Sequence, residues 1–146
     1  MKLEINLLVH EDKIKKRVDA GKVRVFDPVR RKFLVATPEE WVRQLFISFL
    51  VNEKNIPLSK IAVEKQLLIN NMQKRFDIVV YGDDFSPLTI IECKSPKISI
   101  SDDTFRQASL YNLELRAPFL IVTNGMATYH CAIDFESRSF RFLSSI

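Results

Sequence analysis

Apolar positions along this chain change period several times, and each change marks an element. Two short alternating runs, KVRVF and RKFLV, joined at Asp27-Pro28, predict a hairpin. From Thr37 the period becomes helical. Thr37 is a natural cap, Pro38 takes the first helical position, and Glu40 sits where a capping box places its acid. The segment WVRQLFISFLV that follows is apolar almost all round, which predicts a buried helix ending near Asn52 to Asn55, before Pro57. After Pro57 the pattern gives a short helical or irregular piece and a run around Glu64 to Ile69, then a turn at Asn70-Asn71-Met72-Gln73. Runs around Phe76 to Tyr81 and Leu88 to Cys93 flank the loop Gly82-Asp83-Asp84. Ser101-Asp102-Asp103 caps a second helix reaching about Arg116, and Pro118 ends it. A buried strand and turn, PFLIVTNG, precedes runs around Tyr129 to Ile133 and Phe140 to Leu143. Hairpin, helix, strands, helix and strands in that order predict an α/β fold, a mixed central sheet with a helix on each side.

Length adds a single domain of 146 residues, with 1–36 as an N-terminal extension and hairpin and 37–146 as the core. At 47% apolar the chain can bury a substantial core. Its net charge of +4 admits an anionic partner without requiring one. Cys93 and Cys131, with no CxxC, favour a reducing compartment over a zinc ribbon or disulfide scaffold. The apolar start is too short for a signal peptide, and no stretch approaches the roughly 20 apolar residues of a membrane span. A soluble, cytoplasmic protein is expected. Only Gly21, Gly82 and Gly125 are present, so neither a P-loop nor a Rossmann fingerprint can be built. His10 and His130 lack metal-ligand spacing.

The candidate chemistry lies in RFDIVVYGDDFSPLTIIECKSP. Residues two apart on a strand share a face, so Glu92 and Lys94 point one way and Ile91 and Cys93 the other. Asp77, Val79 and Tyr81 share a face on the preceding run, opposite Phe76, Ile78 and Val80. If the two runs pair, two carboxylates and an ammonium converge, a set that attracts a hard divalent cation. A salt bridge at a sheet end is the plain alternative. The chain carries its own control, because Glu11-Asp12-Lys13 repeats the spacing with no preceding aspartate and reads as a solvated element end. Gln107 and Tyr111, four apart, share a face of the second helix. Glu40 lies on the stripe Glu40, Gln44, Ile47, Val51, although the capping box by itself accounts for a glutamate there.

With these pieces in place the chain resembles the PD-(D/E)xK nucleases, and in particular the N-terminal nuclease domain of type I restriction enzyme R subunits. The pieces carrying the resemblance are TPEEWVRQ, RFDIVVY, LTIIECKSP, RQASLYN and VTNG, in family order over residues 23 to 130 or so. Asp77 stands for the motif's first acid, with Phe76 in place of its proline. The resemblance implies a magnesium-dependent DNA endonuclease of the restriction-endonuclease-like fold, with manganese as a substitute. Asp77, Glu92 and the backbone carbonyl of Cys93 would bind the metal, and Glu40 would assist from the first helix. Lys94 would position the attacking water, and Gln107 with Tyr111 would line the DNA side. Neighbouring carboxylates favour the charged form of a lysine, so Lys94 is expected to act as a cation rather than a neutral base. DNA is the implied partner. Motor or specificity subunits would be encoded separately, and a homodimer is left open. For DNA phosphates the candidate cations are Lys13, Lys15, Lys16, Arg17, Arg30, Arg31, Lys32, Lys97 and Arg106. The competing readings are a non-catalytic nucleic-acid- or protein-binding module on the same fold, and a structural domain with a surface ion cluster.

Overall fold

The computed structural model describes residues 2–69 and 71–146, leaving aside the side chains of Leu67, Ile69 and Tyr111. Among these residues the strands form two sheets. An N-terminal antiparallel sheet has the order β1 (Lys16–Asp19), β2 (Lys22–Asp27), β3 (Lys32–Val35). The larger sheet runs β4 (Ile61–Ile69), β5 (Met72–Tyr81), β6 (Pro87–Cys93), β7 (Phe119–Thr123), β8 (Thr128–Asp134), β9 (Ser139–Phe142). Its neighbours are antiparallel except β6 and β7, which are parallel and joined through helix α2 (Asp102–Leu115). Helix α1 (Pro38–Asn52) precedes β4. The sheet is therefore mixed with a helix on each face, as the pattern predicts.

Alternation along the central strands divides the core in two. Ile78, Val80, Ile91 and Ile121 pack with Val42, Leu45, Phe46 and Phe49 of α1. Val79, Ile90, Leu120 and Val122 pack with Phe105 and Ala108 of α2. Burial of these branched and aromatic side chains, at ~25 cal/mol per Å² of apolar area, is the main force holding the helices to the sheet. α1 is capped by Thr37, whose side-chain oxygen accepts the Glu40 N–H at 3.1 Å.

The structure corrects the sequence reading in three places. Ile69 pairs with Met72, so Met72 and Gln73 belong to β5 and not to a turn, while Asn70 lies outside the described residues. The basic stretch before the hairpin supplies a third strand, β1, paired to β2. The expected face of Asp77 is also wrong. Phe76 packs with Val79 on the α2 face, so the alternation slips between Phe76 and Ile78. Glu64, at the facing position of β4, takes a left-handed φ of +54°, which a non-glycine residue adopts only at a local cost. Through this irregularity the Asp77 side chain turns toward α1.

Candidate active site

Strands β5 and β6 stay paired only as far as Ile78 opposite Ile91. Beyond that point the Asp77 side chain takes the place of the ladder, its Oδ2 accepting the Cys93 N–H at 2.8 Å. Cys93 closes β6 beside Thr123 of parallel β7, and the Lys94 N–H donates to the Thr123 carbonyl at 2.8 Å. The acid and lysine thus sit at the carboxyl end of the parallel pair, where open α/β sheets offer a crevice.

The next turn is built to hold this end. Asn124 Oδ1 accepts the N–H groups of Met126 and Ala127, and its Nδ2 donates to the Ile98 carbonyl at 2.9 Å, tying the segment after Lys94 to the β7–β8 turn. Gly125 has φ +88°, and a Cβ there would lie 3.1 Å from Val42 Cγ2 of α1. That pair of constraints accounts for the TNG sequence at this turn.

Electrostatics single out Glu92. Burial first, and then the charge of Asp77, push its carboxyl up to about 8, with Lys94 pulling the other way. Burial, then Asp77, likewise raises Glu39, while Arg43 and Lys94 oppose the rise. The Cys93 thiol is buried on the α1 face and pushed well above its usual range by that burial, so it is inert as a nucleophile.

Arg43, which the sequence reading did not single out, organises the acids. Its side chain is only 5% exposed. Its Nη2 donates to Asp77 Oδ1 at 2.8 Å and lies 3.2 Å from Glu64 Oε1, while Nη1 donates to Glu40 Oε1 at 2.7 Å. Burial would lower the guanidinium, but the Asp77 hydrogen bond with the charges of Glu40 and Asp77 raises it, so the group stays charged. Arg30, from the turn after β2, donates to Glu40 Oε1 at 2.7 Å and to Asp27 Oδ2 at 2.6 Å. Gln44 Nε2 completes the shell on Glu40 Oε2 at 3.1 Å. A clue to Arg43 was present in the sequence. An arginine on a helix apolar almost all round must be buried, and a buried charge needs a partner. Glu64 had no comparable signal, because nothing in its strand pattern announces the left-handed backbone.

Of the residues expected at the site, the structure brings Asp77, Glu92 and Lys94 together. Glu40 is placed differently from either expectation. Its carboxylate neither reaches back to Thr37, whose N–H donates to Val35, nor faces Asp77 directly, since Arg43 stands between them. Arg30 is removed from the DNA cations for the same reason, being committed to Asp27 and Glu40. Gln107 is exposed on α2, and no hydrogen bond among the described residues joins it to the acids. The Tyr111 side chain lies outside the described residues. An open cleft of about 440 Å³, lined by Thr37, Pro38, Glu39, Glu40, Arg43, Glu64 and Ser95, adjoins the cluster. No group of three or more His, Cys, Asp or Glu side chains among the described residues is arranged to hold a metal ion.

Residues 38–146 match the family described as Type I restriction enzyme R protein N terminus (HSDR_N). The chain belongs to that family. The match starts at the first residue of α1 and takes in Asp77, Glu92, Lys94, Gln107 and the TNG turn, and it leaves the N-terminal sheet outside. No curated protein gives a significant match. Among the described residues no helix of this restriction enzyme R N-terminal domain is long and apolar enough to cross a membrane.

Proposed function

We propose that the chain is a magnesium-dependent DNA endonuclease core of the PD-(D/E)xK type, acting by hydrolysis of phosphodiester bonds. The observation that carries this reading is the meeting of Asp77 and Glu92 at the carboxyl end of β6, with Lys94 beside them, in a member of a restriction enzyme R family. The donor set suits magnesium, which binds through one or two carboxylates and keeps waters and substrate oxygens for its other positions. A divalent cation also offsets the charge of Asp77, which adds to burial in lifting Glu92 to about 8. Asp77, Glu92 and the Cys93 carbonyl would hold the ion, with manganese an adequate substitute. Bound there, it would lower the pKa of a water and offset charge on the scissile phosphate.

The chain's own groups then have distinct tasks. Asp77 is fixed by the Cys93 N–H and by Arg43, so it is oriented before any substrate arrives. Glu92 must lose its proton to become a ligand. Lys94, beside two acids, would orient the attacking water and steady negative charge as the phosphorus becomes five-coordinate. Glu40 keeps Arg30 and Arg43 in place rather than binding metal. Gln107, exposed on α2, would face the DNA together with Tyr111. Motor and specificity parts of a type I complex would direct the cut.

One observation favours the second reading, a non-catalytic binding module, because both oxygens of Asp77 already accept hydrogen bonds. Nicking of supercoiled plasmid with magnesium or manganese separates the two. Wild type should nick, and Asp77→Ala should fall at least about 10²–10³-fold, to background. DNA binding with no metal-dependent nicking by wild type would sink the nuclease.

A further inference from the structure

The N-terminal sheet carries a charge pattern that folding by itself does not favour. Between Lys13 and Lys32 the sequence holds nine Lys and Arg against two Asp, so the rest of the chain is acidic on balance. Asp27, one of those two, is fully buried and committed to the turn after β2 and to Arg30.

The register concentrates the cations on one face. Arg17 stands directly opposite Arg24, and Asp19 opposite Lys22, so Arg17, Lys22 and Arg24 share a face with the facing rings Phe26 and Phe33. Like charges directly across a strand pair destabilise it. Among the described residues only Asp19 offsets them, 2.8 Å from Arg17 and 3.7 Å from Arg24. The Arg17 side chain remains 53% exposed, lying over the Phe33 ring at 4.2 Å, and Lys22 is exposed at the turn. Flat, aromatic-backed cations along a sheet match a row of phosphates.

This sheet is also wired to the carboxylates. Asp27 accepts from Arg30, Arg30 donates to Glu40, Glu40 accepts from Arg43, and Arg43 donates to Asp77, an unbroken chain of buried or half-buried groups. Lys16 over the Trp41 ring at 4.9 Å adds a second attachment, to the first turn of α1. We propose that the β1–β2–β3 sheet, outside the family-matched segment, is a docking surface for the phosphate backbone of duplex DNA, held in register with the carboxylate site by the Asp27–Arg30–Glu40–Arg43–Asp77 chain. The choice of partner rests on the nuclease reading; the charge and the connection do not.

The test is anisotropy of a labelled mixed-sequence DNA duplex in EDTA, titrated with salt, so that binding is read without cleavage. Wild type should bind with a steep salt dependence. Arg17→Ala/Lys22→Ala/Arg24→Ala should lose about tenfold in affinity and two to three units of salt slope, roughly one for each phosphate contact removed. Lys22→Glu, at the turn and clear of the core, should lower both in the same direction and guards against misfolding of the triple variant. No binding by wild type, or an unchanged slope in both variants, overturns the proposal. Binding through the sheet with no metal-dependent nicking leaves it standing and removes the nuclease. Nicking with binding indifferent to these substitutions does the reverse.

Discussion

Glu11-Asp12-Lys13 and Glu92-Cys93-Lys94 offer the same charges at the same spacing and have different fates. The first ends a 3-10 helix, Leu7–Lys13, with all three residues exposed. The second ends a central strand, where burial and Asp77 lift Glu92 to about 8. The spacing is common to both. What differs is the shell, in which a buried middle residue anchors the strand, an aspartate crosses from the neighbouring strand, and an arginine fixes that aspartate. An acid–lysine triplet is therefore informative only through what surrounds it.

Removing that shell is the strongest way to break the contrast. Arg43→Met should cost about 3–5 kcal/mol, because it leaves Glu40 and Asp77 as buried or half-buried carboxylates short of a partner. Urea melts in EDTA measure it, with Lys13→Met as the comparison, expected within about 0.5 kcal/mol of wild type. Equal losses in the two variants would mean that Arg43 is not the shell's organiser.

The two lysines sharpen the contrast next. Lys94→Ala should reduce plasmid nicking about 10²–10³-fold, whereas Lys13→Ala, which removes at most one phosphate contact, should reduce it by less than about tenfold. Lys94→Arg keeps the charge and should retain part of the rate across pH, as a charged organiser of water requires. If Lys94→Ala and Lys94→Arg both keep full activity, the assignment of Lys94 is wrong.

How much of this was legible in the sequence depends on the range of the interaction. The order of most elements, the Thr37 cap and the β2–β3 hairpin rest on local periodicity and cap chemistry and were readable, while the pairing of the Asp77 and Glu92 strands entered as a condition that the structure meets. The face of Asp77 was not, because a left-handed Glu64 on the neighbouring strand breaks the alternation that the argument assumed. The pattern marks Glu40 as half of a capping box, and the family resemblance makes it an assistant to the metal site. Its true partners are Arg30 from a turn ten residues earlier and Arg43 one helical turn on. The extra strand β1 hid in a run of cations, since its register with β2 sets arginine against arginine, a pairing that propensity counts against.

The most gradual effect concerns protons. A carboxyl whose pKa is higher in the folded chain binds its proton more tightly there, so its stabilising contribution is complete below its ordinary value and fades as pH rises. For Glu92 the window runs from 4.5 up to about 8. Metal-free wild type should lose stability across that window, at a slope of up to about 1.4 kcal/mol per pH unit from this group. Because Asp77 and Glu92 interact, the transition belongs to the pair. Glu92→Gln keeps the shape, cannot ionise, and should flatten most of the slope in thermal melts run in EDTA. A residual fall of the same sign is expected from Glu39, which is also raised. Glu11→Gln should leave the wild-type curve intact. If Glu92→Gln melts with the wild-type pH dependence, Glu92 is not the buried, proton-holding partner of Asp77, and the contrast between the two triplets loses its electrostatic basis.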